Sequence, residues 1–405
     1  MSEAILDGIK VVELATYIAG PASGVVLADF GADVVKIESP NRPDPFRGGH
    51  RRGSDAPLSE YPYGYIVDNR NKRAVALDIK TEAGRAAFER LIQTADVFIT
   101  NMPIPTRERL NIGYDDIRTI NERIVYASIS AFGEKGPEAG RPGFDSTALW
   151  ARTGLMDLVK PGPGSPPARS LPGMGDHPTA MSLFAAIMTG LFRRERTGKG
   201  SHVSTSLMAN GVWWNGLLTQ AMLCGGQVVC RQPRENAANP LHNLYQTRDG
   251  RWIHIIFNTN LDRWPELATL LGRPDIGTDP RFENQAAWIE NSSALIPILE
   301  AAFAERDYAE WVALLDEHRF TYGDIRKVDD IPSDPQMIEG RAIRPIDDPA
   351  AGAAYVVDSP IWVEDSEKAA PAMPPELGEH TEEVLRDIGY DDAALAALRD
   401  AGAIS

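Results

Sequence analysis

At 405 residues the chain exceeds one ordinary compact core, so two domains are expected. Hydrophobic residues make up 43% and charged residues 24%, the balance of a globular chain rather than a disordered or fibrous one. Forty-one basic against 57 acidic residues leave a net charge of −16, which argues against nucleic-acid or anionic-membrane partners. No apolar run is long enough to span a bilayer, and Met-Ser-Glu-Ala lacks the character of a signal peptide. Cys224 and Cys230 cannot brace a chain of this size, so a cytoplasmic protein is expected. Their spacing, with no matching His or Cys pair nearby, predicts no metal site.

Residues 9–14 read as a buried strand, followed by a short apolar helix through Val25, Leu27 and Phe30 and a second strand ending at Glu38. The βαβ unit and its terminal acid suit a nucleotide-binding fold, but the GxGxxG fingerprint is absent and no nicotinamide cofactor is expected. Residues 39–70 read as a loop with an Arg-rich stretch, Phe46 to Gly53. A second basic group, Asn69-Arg70-Asn71-Lys72-Arg73, precedes the strand 74–78, and such forks and point charges suit phosphates.

Alternation continues with a helix near 82–95, a strand 97–100, a helix near 114–122 and a strand 125–130. This is the pattern of a parallel sheet with ligands at the strands' carboxyl ends, where Asn101 and Arg109 fall. Pro142-Gly143-Phe144-Asp145 opens another helix, and 156–176 is a Pro/Gly-rich loop. A strand 202–206 and one apolar helix, 207 to about 224, follow. Residues 230–240 read as a linker. A hairpin turning at Asp249-Gly250 and helices near 261–271, 292–304 and 307–317 make a smaller α+β unit. A last strand falls at 355–357, and a C-terminal helix begins near 378.

One stretch concentrates the chemistry: Pro172-Gly173-Met174-Gly175-Asp176-His177-Pro178. It leads into a helix with apolar residues at Phe184, Ile187 and Leu191, and ending at a Gly signal near 198. The plainest role for Asp176 is an N-cap. Gly173 and Gly175, however, clear space beside its carboxylate for a bulky ligand.

Taken together these segments resemble the class III CoA-transferases, whose relatives include formyl-CoA transferase, carnitine CoA-transferase and alpha-methylacyl-CoA racemase. The resemblance rests on residues 8–14, Ala19-Gly20-Pro21, residues 31–38, Asn71-Lys72-Arg73 with Leu77-Asp78, residues 142–145, Gly175-Asp176, residues 197–200 and Gly378-Glu379-His380-Thr381. It implies an α/β fold with a Rossmann-like large domain plus a small α+β domain, in an interlocked, ring-like homodimer. The large CoA-binding domain would take residues 1–225 and the returning segment 331–405, with the small domain at 226–330.

It also implies that Asp176 attacks an acyl-CoA thioester, passing through a mixed anhydride and an aspartyl-CoA thioester before CoA moves to a carboxylic acid. Coenzyme A thioester is then a substrate, and no bound cofactor is needed. Asn71, Lys72 and Arg73 match contacts to the CoA nucleotide, and Asn101, Met102 and Arg109 match the adenine and pantetheine path. Tyr17 and Ile18 fall at the acyl-site loop, with Phe144, Asp145, Gly175 and His177 completing the substrate site. The family's glycine-run loop is missing from 225–260, so residues 234–239 are expected to guard the intermediates instead. Two alternatives stand beside the transferase: a racemase or epimerase at the alpha carbon, and a CoA-ester binding protein without chemistry. Racemase members carry a His where this chain has Phe144, which cannot move a proton. The forms of residues 142–145 and 172–177 look most like transferases acting on 2-hydroxy or arylacrylic acids, and Tyr17, Phe144 and Trp150 would suit an apolar acyl pocket.

Overall fold

Apolar residues on both faces of consecutive short strands demand cover on both sides, and the computed structural model, described for residues 4–48, 57–259 and 261–405, provides it. Six strands form one parallel sheet: β1 (Lys10–Leu14), β2 (Asp33–Glu38), β3 (Arg73–Ala76), β4 (Val97–Thr100), β5 (Val125–Ser130) and β6 (Ser201–Ser206). Their order is β3-β2-β1-β4-β5-β6, with Val11 level with Val34 and Val97. This is the Rossmann-like order, and the winding direction reverses between β1 and β4.

Strict alternation divides the core. Val11, Val34, Val97, Ile99 and Val125 face one side, under α1 (Ala19–Asp29) and the later helix that starts at Asp176. Val12, Val35, Val75, Phe98 and Tyr126 face the other, where Phe88 and Leu91 and the C-terminal residues Leu385, Leu395 and Leu398 cover them. Every residue of α1 is buried, as befits a helix apolar on all sides. Two elements interrupt the span expected as a continuous loop: a short turn, Pro45–Gly48, and α2 (Tyr63–Asn69). His50, Arg51 and Arg52 of the Arg-rich stretch lie outside the described residues.

The chain goes on through α3 (Glu82–Thr94), α4 (Ile104–Arg109) and α5 (Tyr114–Ile120). The helix expected after Phe144 is a π-helical turn, Asp145–Ala151, followed by α6 (Leu155–Leu158) and then α7 (Asp176–Thr197). Gly198 ends α7 in the left-handed conformation, φ +72°. The single helix expected over 207–224 is two, α8 (Leu207–Trp214) and α9 (Gly216–Leu223), broken at Asn215, whose amide donates to the Thr153 carbonyl at 3.1 Å.

The chain divides into two compact units, one of residues 1–156, 169–226 and 334–405, the other of residues 157–168 and 227–333. The second has its own antiparallel sheet, β7 (His242–Gln246), β8 (Trp252–Ile256) and β9 (Tyr322–Asp324), over a core of Trp264, Trp288 and Trp311. In the first unit β10 (Ile343–Pro345) pairs with β11 (Tyr355–Val357). Among the described residues no helix is long and apolar enough to cross a membrane.

Candidate active site

Between β1 and α1 the chain turns through Thr16, Tyr17 and Ile18. Tyr17 has φ +63°, a left-handed conformation costing a non-glycine residue roughly 1–3 kcal/mol. Its surroundings impose it. Asn101, just past β4, accepts the Thr16 N–H at 3.0 Å and donates to the Thr16 carbonyl at 2.6 Å. Asp44 accepts the Tyr17 N–H at 3.1 Å with one oxygen and Lys36 Nζ at 3.0 Å with the other. Lys36 is fully buried and also meets Glu13 at 3.2 Å, while Glu13 takes Lys72 at 2.8 Å. Burial opposes the charge on Lys36, but Glu13, Asp44 and Glu38 outweigh it and raise its pKa. At Lys72 burial wins and lowers the pKa to about 8. A buried network of this kind is tolerable only because every charge has a partner.

The loop forms one wall of a cavity of about 230 Å³ at the carboxyl ends of β1, β4 and β5. Tyr17, Ile18, Asn101, Phe144 and Asp176 line it. The Tyr17 and Phe144 rings meet edge to face at 5.8 Å, and Phe144 is 60% exposed. Trp150 instead packs on Trp214 and is not among the lining residues.

Asp176 is the first residue of α7, half-buried. It is not a cap: the capping position is Gly175, and no side-chain capping bond is made there. Asp145 lies behind it, accepting the Gly175 N–H at 3.2 Å. A Cβ on Gly175 would fall 2.8 Å from Leu149 and 3.1 Å from Asp145, so only glycine lets the two chains meet. Burial, and then the charge of Asp145, push the Asp176 carboxyl up to about 7, against the opposing pull of His177.

A neighbouring cavity of about 240 Å³ shares Thr16 with the first and opens at the ends of β1, β2, β3 and β4. Met102 and Arg109 line it, with Arg42 and Lys80, which sequence reasoning did not single out. Arg42, Lys80 and Arg109 are exposed and have no ion-pair partner among the described residues. Of the acids lining this cavity, Asp44 pairs with Lys36 and Glu38 with Arg47 at 2.6 Å, while Asp78 accepts the Lys80 backbone N–H at 3.0 Å. The signal for Arg42 and Lys80 was only their place after strands, which no local motif marks.

The segment Asn71-Lys72-Arg73, expected at the CoA nucleotide, makes contacts within the chain. It sits at the amino end of β3 and lines neither of these two cavities. Asn71 binds the backbone of Ala372 at 2.7 Å, and Lys72 is locked to Glu13. Arg73 holds Asp33 at 2.5 Å, Glu383 at 2.9 Å and Asp387 at 2.8 Å. Lys72 and Arg73 are thus engaged by carboxylates of the same chain. His177, expected to touch substrate, lines a different cavity from Asp176. In the second unit Arg234, expected to guard intermediates, pairs with Glu300 at 2.5 Å over the Trp252 ring. No cluster of three or more metal-ligating side chains occurs among the described residues.

In a parallel sheet of this order the ligand-binding crevice lies at the switch point between β1 and β4, beside which Asp176 and the basic cleft stand. The chain belongs to CoA-transferase family III, whose model matches residues 6–381. It is an acyl-CoA:carboxylate CoA-transferase of that family. It is 31% identical over 399 residues to (R)-2-hydroxy-4-methylpentanoate CoA-transferase of Clostridioides difficile, covering 98% of each chain. It is 29% identical to mouse succinyl-CoA:glutarate CoA-transferase, over 98% of this chain and 90% of the other. The crystal structure of a CaiB/BaiF family protein from Brucella suis superposes with a TM-score of 0.83 at 30% identity, over 96% of this chain and all of that one.

Proposed function

We propose that the enzyme moves CoA between carboxylic acids through covalent intermediates on Asp176. The observation that carries this is the carboxylate's situation: it lines a cavity, has no hydrogen-bond or ion-pair partner among the described residues, and stands next to a cleft with three unpaired cations. Arg42, Lys80 and Arg109 take the phosphates of CoA. The pantetheine arm passes Thr16 and delivers the thioester to Asp176.

An Asp176 oxygen attacks the thioester carbonyl, the carbon–sulfur bond breaks, and CoA leaves as thiolate from a mixed anhydride. The thiolate then attacks the aspartyl carbonyl and expels the donor carboxylate, leaving CoA on Asp176 as a thioester. The acceptor carboxylate attacks that thioester, forms a new anhydride, and the returning thiolate takes the acyl group and frees Asp176. A carboxyl with pKa about 7 suits this task, being more basic than an ordinary carboxylate and still substantially ionised at neutral pH.

The edge-to-face rings of Tyr17 and Phe144 support acids with apolar bodies, in line with the branched 2-hydroxy acid named for the clostridial relative. The racemase alternative lacks its second proton carrier: Phe144 has no proton to give, and His177 opens onto another cavity. The enzyme acts as a homodimer, a reading supported by the bare apolar face of α8 and α9 described below.

A panel of acyl-CoA donors mixed with apolar 2-hydroxy and arylacrylic acids should yield new acyl-CoA esters. Asp176→Asn should lower that rate by at least about 10³-fold. Deuterium exchange at the alpha carbon without any CoA transfer would instead favour the racemase.

A further inference from the structure

The mechanism above makes no use of a side-chain pair that touches the start of α7. Asp68, on α2, is 1% exposed, and its Oδ1 lies 2.9 Å from His177 Nε2. A carboxylate buried this deeply needs a counter-charge, and the ring facing it supplies one when doubly protonated. Burial raises the pKa of Asp68, and the bonded ring pulls it back toward the charged form.

The ring is thus held as a cation one residue from Asp176. The two side chains diverge: Asp176 lines the cavity of the reacting group, and His177 lines a separate apolar one of about 750 Å³ with Val25, Met181 and Trp362. His177 therefore does not touch the thioester and acts through its charge. Resting on the transfer reading, we propose that Asp68 and His177 form a positioning pair, which fixes a positive charge beside Asp176 and keeps its carboxylate ionised and nucleophilic near neutral pH.

Of the other charges nearby, Asp358 lines the same cavity as His177 and is paired with Lys368 at 2.8 Å. Asp145 faces Asp176 from the π-helical turn, and Asp68 faces it from α2; both disfavour its ionisation. Lys72 and Arg70 act on Asp68 from the β3 approach, and both are already paired, Lys72 with Glu13 and Arg70 with Asp29 at 2.7 Å. His177 is therefore the cation that can offset two neighbouring acids at Asp176. Burial lowers its affinity for protons, but Asp68 outweighs this and raises its pKa.

The test compares His177→Gln, which keeps a donor to Asp68 but carries no charge, with His177→Lys, which restores the charge. Two readouts are taken: the pH profile of kcat, and a titration of the Asp176 carboxyl by carbon-13 NMR of aspartate-labelled protein, assigned with Asp176→Asn. His177→Gln should shift the acid limb and the carboxyl titration upward by about one pH unit, a tenfold loss of rate at pH 6 with near-normal rate at pH 9. His177→Lys should return both toward the wild type. The ring is half exposed, so these variants retain the fold, checked by thermal melting. A limb and a titration that stay in place, or an equal loss of rate at every pH, would overturn the pair's role. Because the NMR titration needs no CoA ester, it separates this outcome from failure of the transfer reading, which the donor panel decides alone.

Discussion

Asp176 carries opposed influences. The amino end of a 22-residue helix favours a carboxylate, since its unpaired N–H groups and dipole attract negative charge. Burial and Asp145 act the other way and prevail, lifting the carboxyl from the ordinary 3.8 to about 7. Between those values the folded chain holds a proton that the unfolded chain has released, so this residue costs stability progressively as pH rises through that window. Asp176→Asn should therefore gain about 1–3 kcal/mol over wild type at pH 8 and almost nothing at pH 4. Urea unfolding at the two pH values measures it, and an equal gain at both would contradict the reading. Local pattern drew attention to Asp176, through Gly173 and Gly175 beside a helix start, but left an N-cap as its plainest role; the catalytic reading came from the resemblance. Local pattern did not settle Asn71-Lys72-Arg73 either. A basic tripeptide looks the same whether its strand entrance faces a ligand or, as here, Glu13, Asp33 and a C-terminal helix. The Asp68–His177 contact was equally hidden, because its partners lie 109 residues apart.

Among the elements, the six parallel strands were legible because both faces are apolar and the turns between them are punctuated by Gly, Pro and Asp. What escaped was short or irregular. Seven-residue α2 follows Pro57 and Pro62, and three-residue β9 has too few positions to show a period. The break between α8 and α9 was invisible to an apolar count, yet it shapes the outer surface. Trp213 is 82% exposed, Leu217 86% and Leu223 76%. An apolar face of this kind on a monomer is a docking surface or a liability. In the homodimer proposed above it is covered by the second copy. Trp213→Glu with Leu217→Glu should then shift the mass seen in size-exclusion chromatography with light scattering from dimer to monomer. A dimer that survives both charges unchanged would place the interface elsewhere.

At the scale of the molecule, one sheet organises everything that matters chemically. Reversal of winding between β1 and β4 opens the crevice, β1 leads into the strained Tyr17 loop, and the Glu13–Lys36–Asp44 network beneath holds that loop in place. Two cavities that share Thr16 in their lining set unpaired cations on one side and Asp176 on the other, the layout on which the proposed transfer rests. The central claim is that CoA becomes covalently attached to Asp176. The most direct measurement incubates the protein with an acyl-CoA donor and no acceptor, then reads intact mass and maps the modified peptide. The account predicts a CoA-sized, hydroxylamine-sensitive adduct on the peptide containing Asp176, absent from Asp176→Ala. Acyl exchange proceeding with no adduct at Asp176, or with the adduct on another residue, would contradict it.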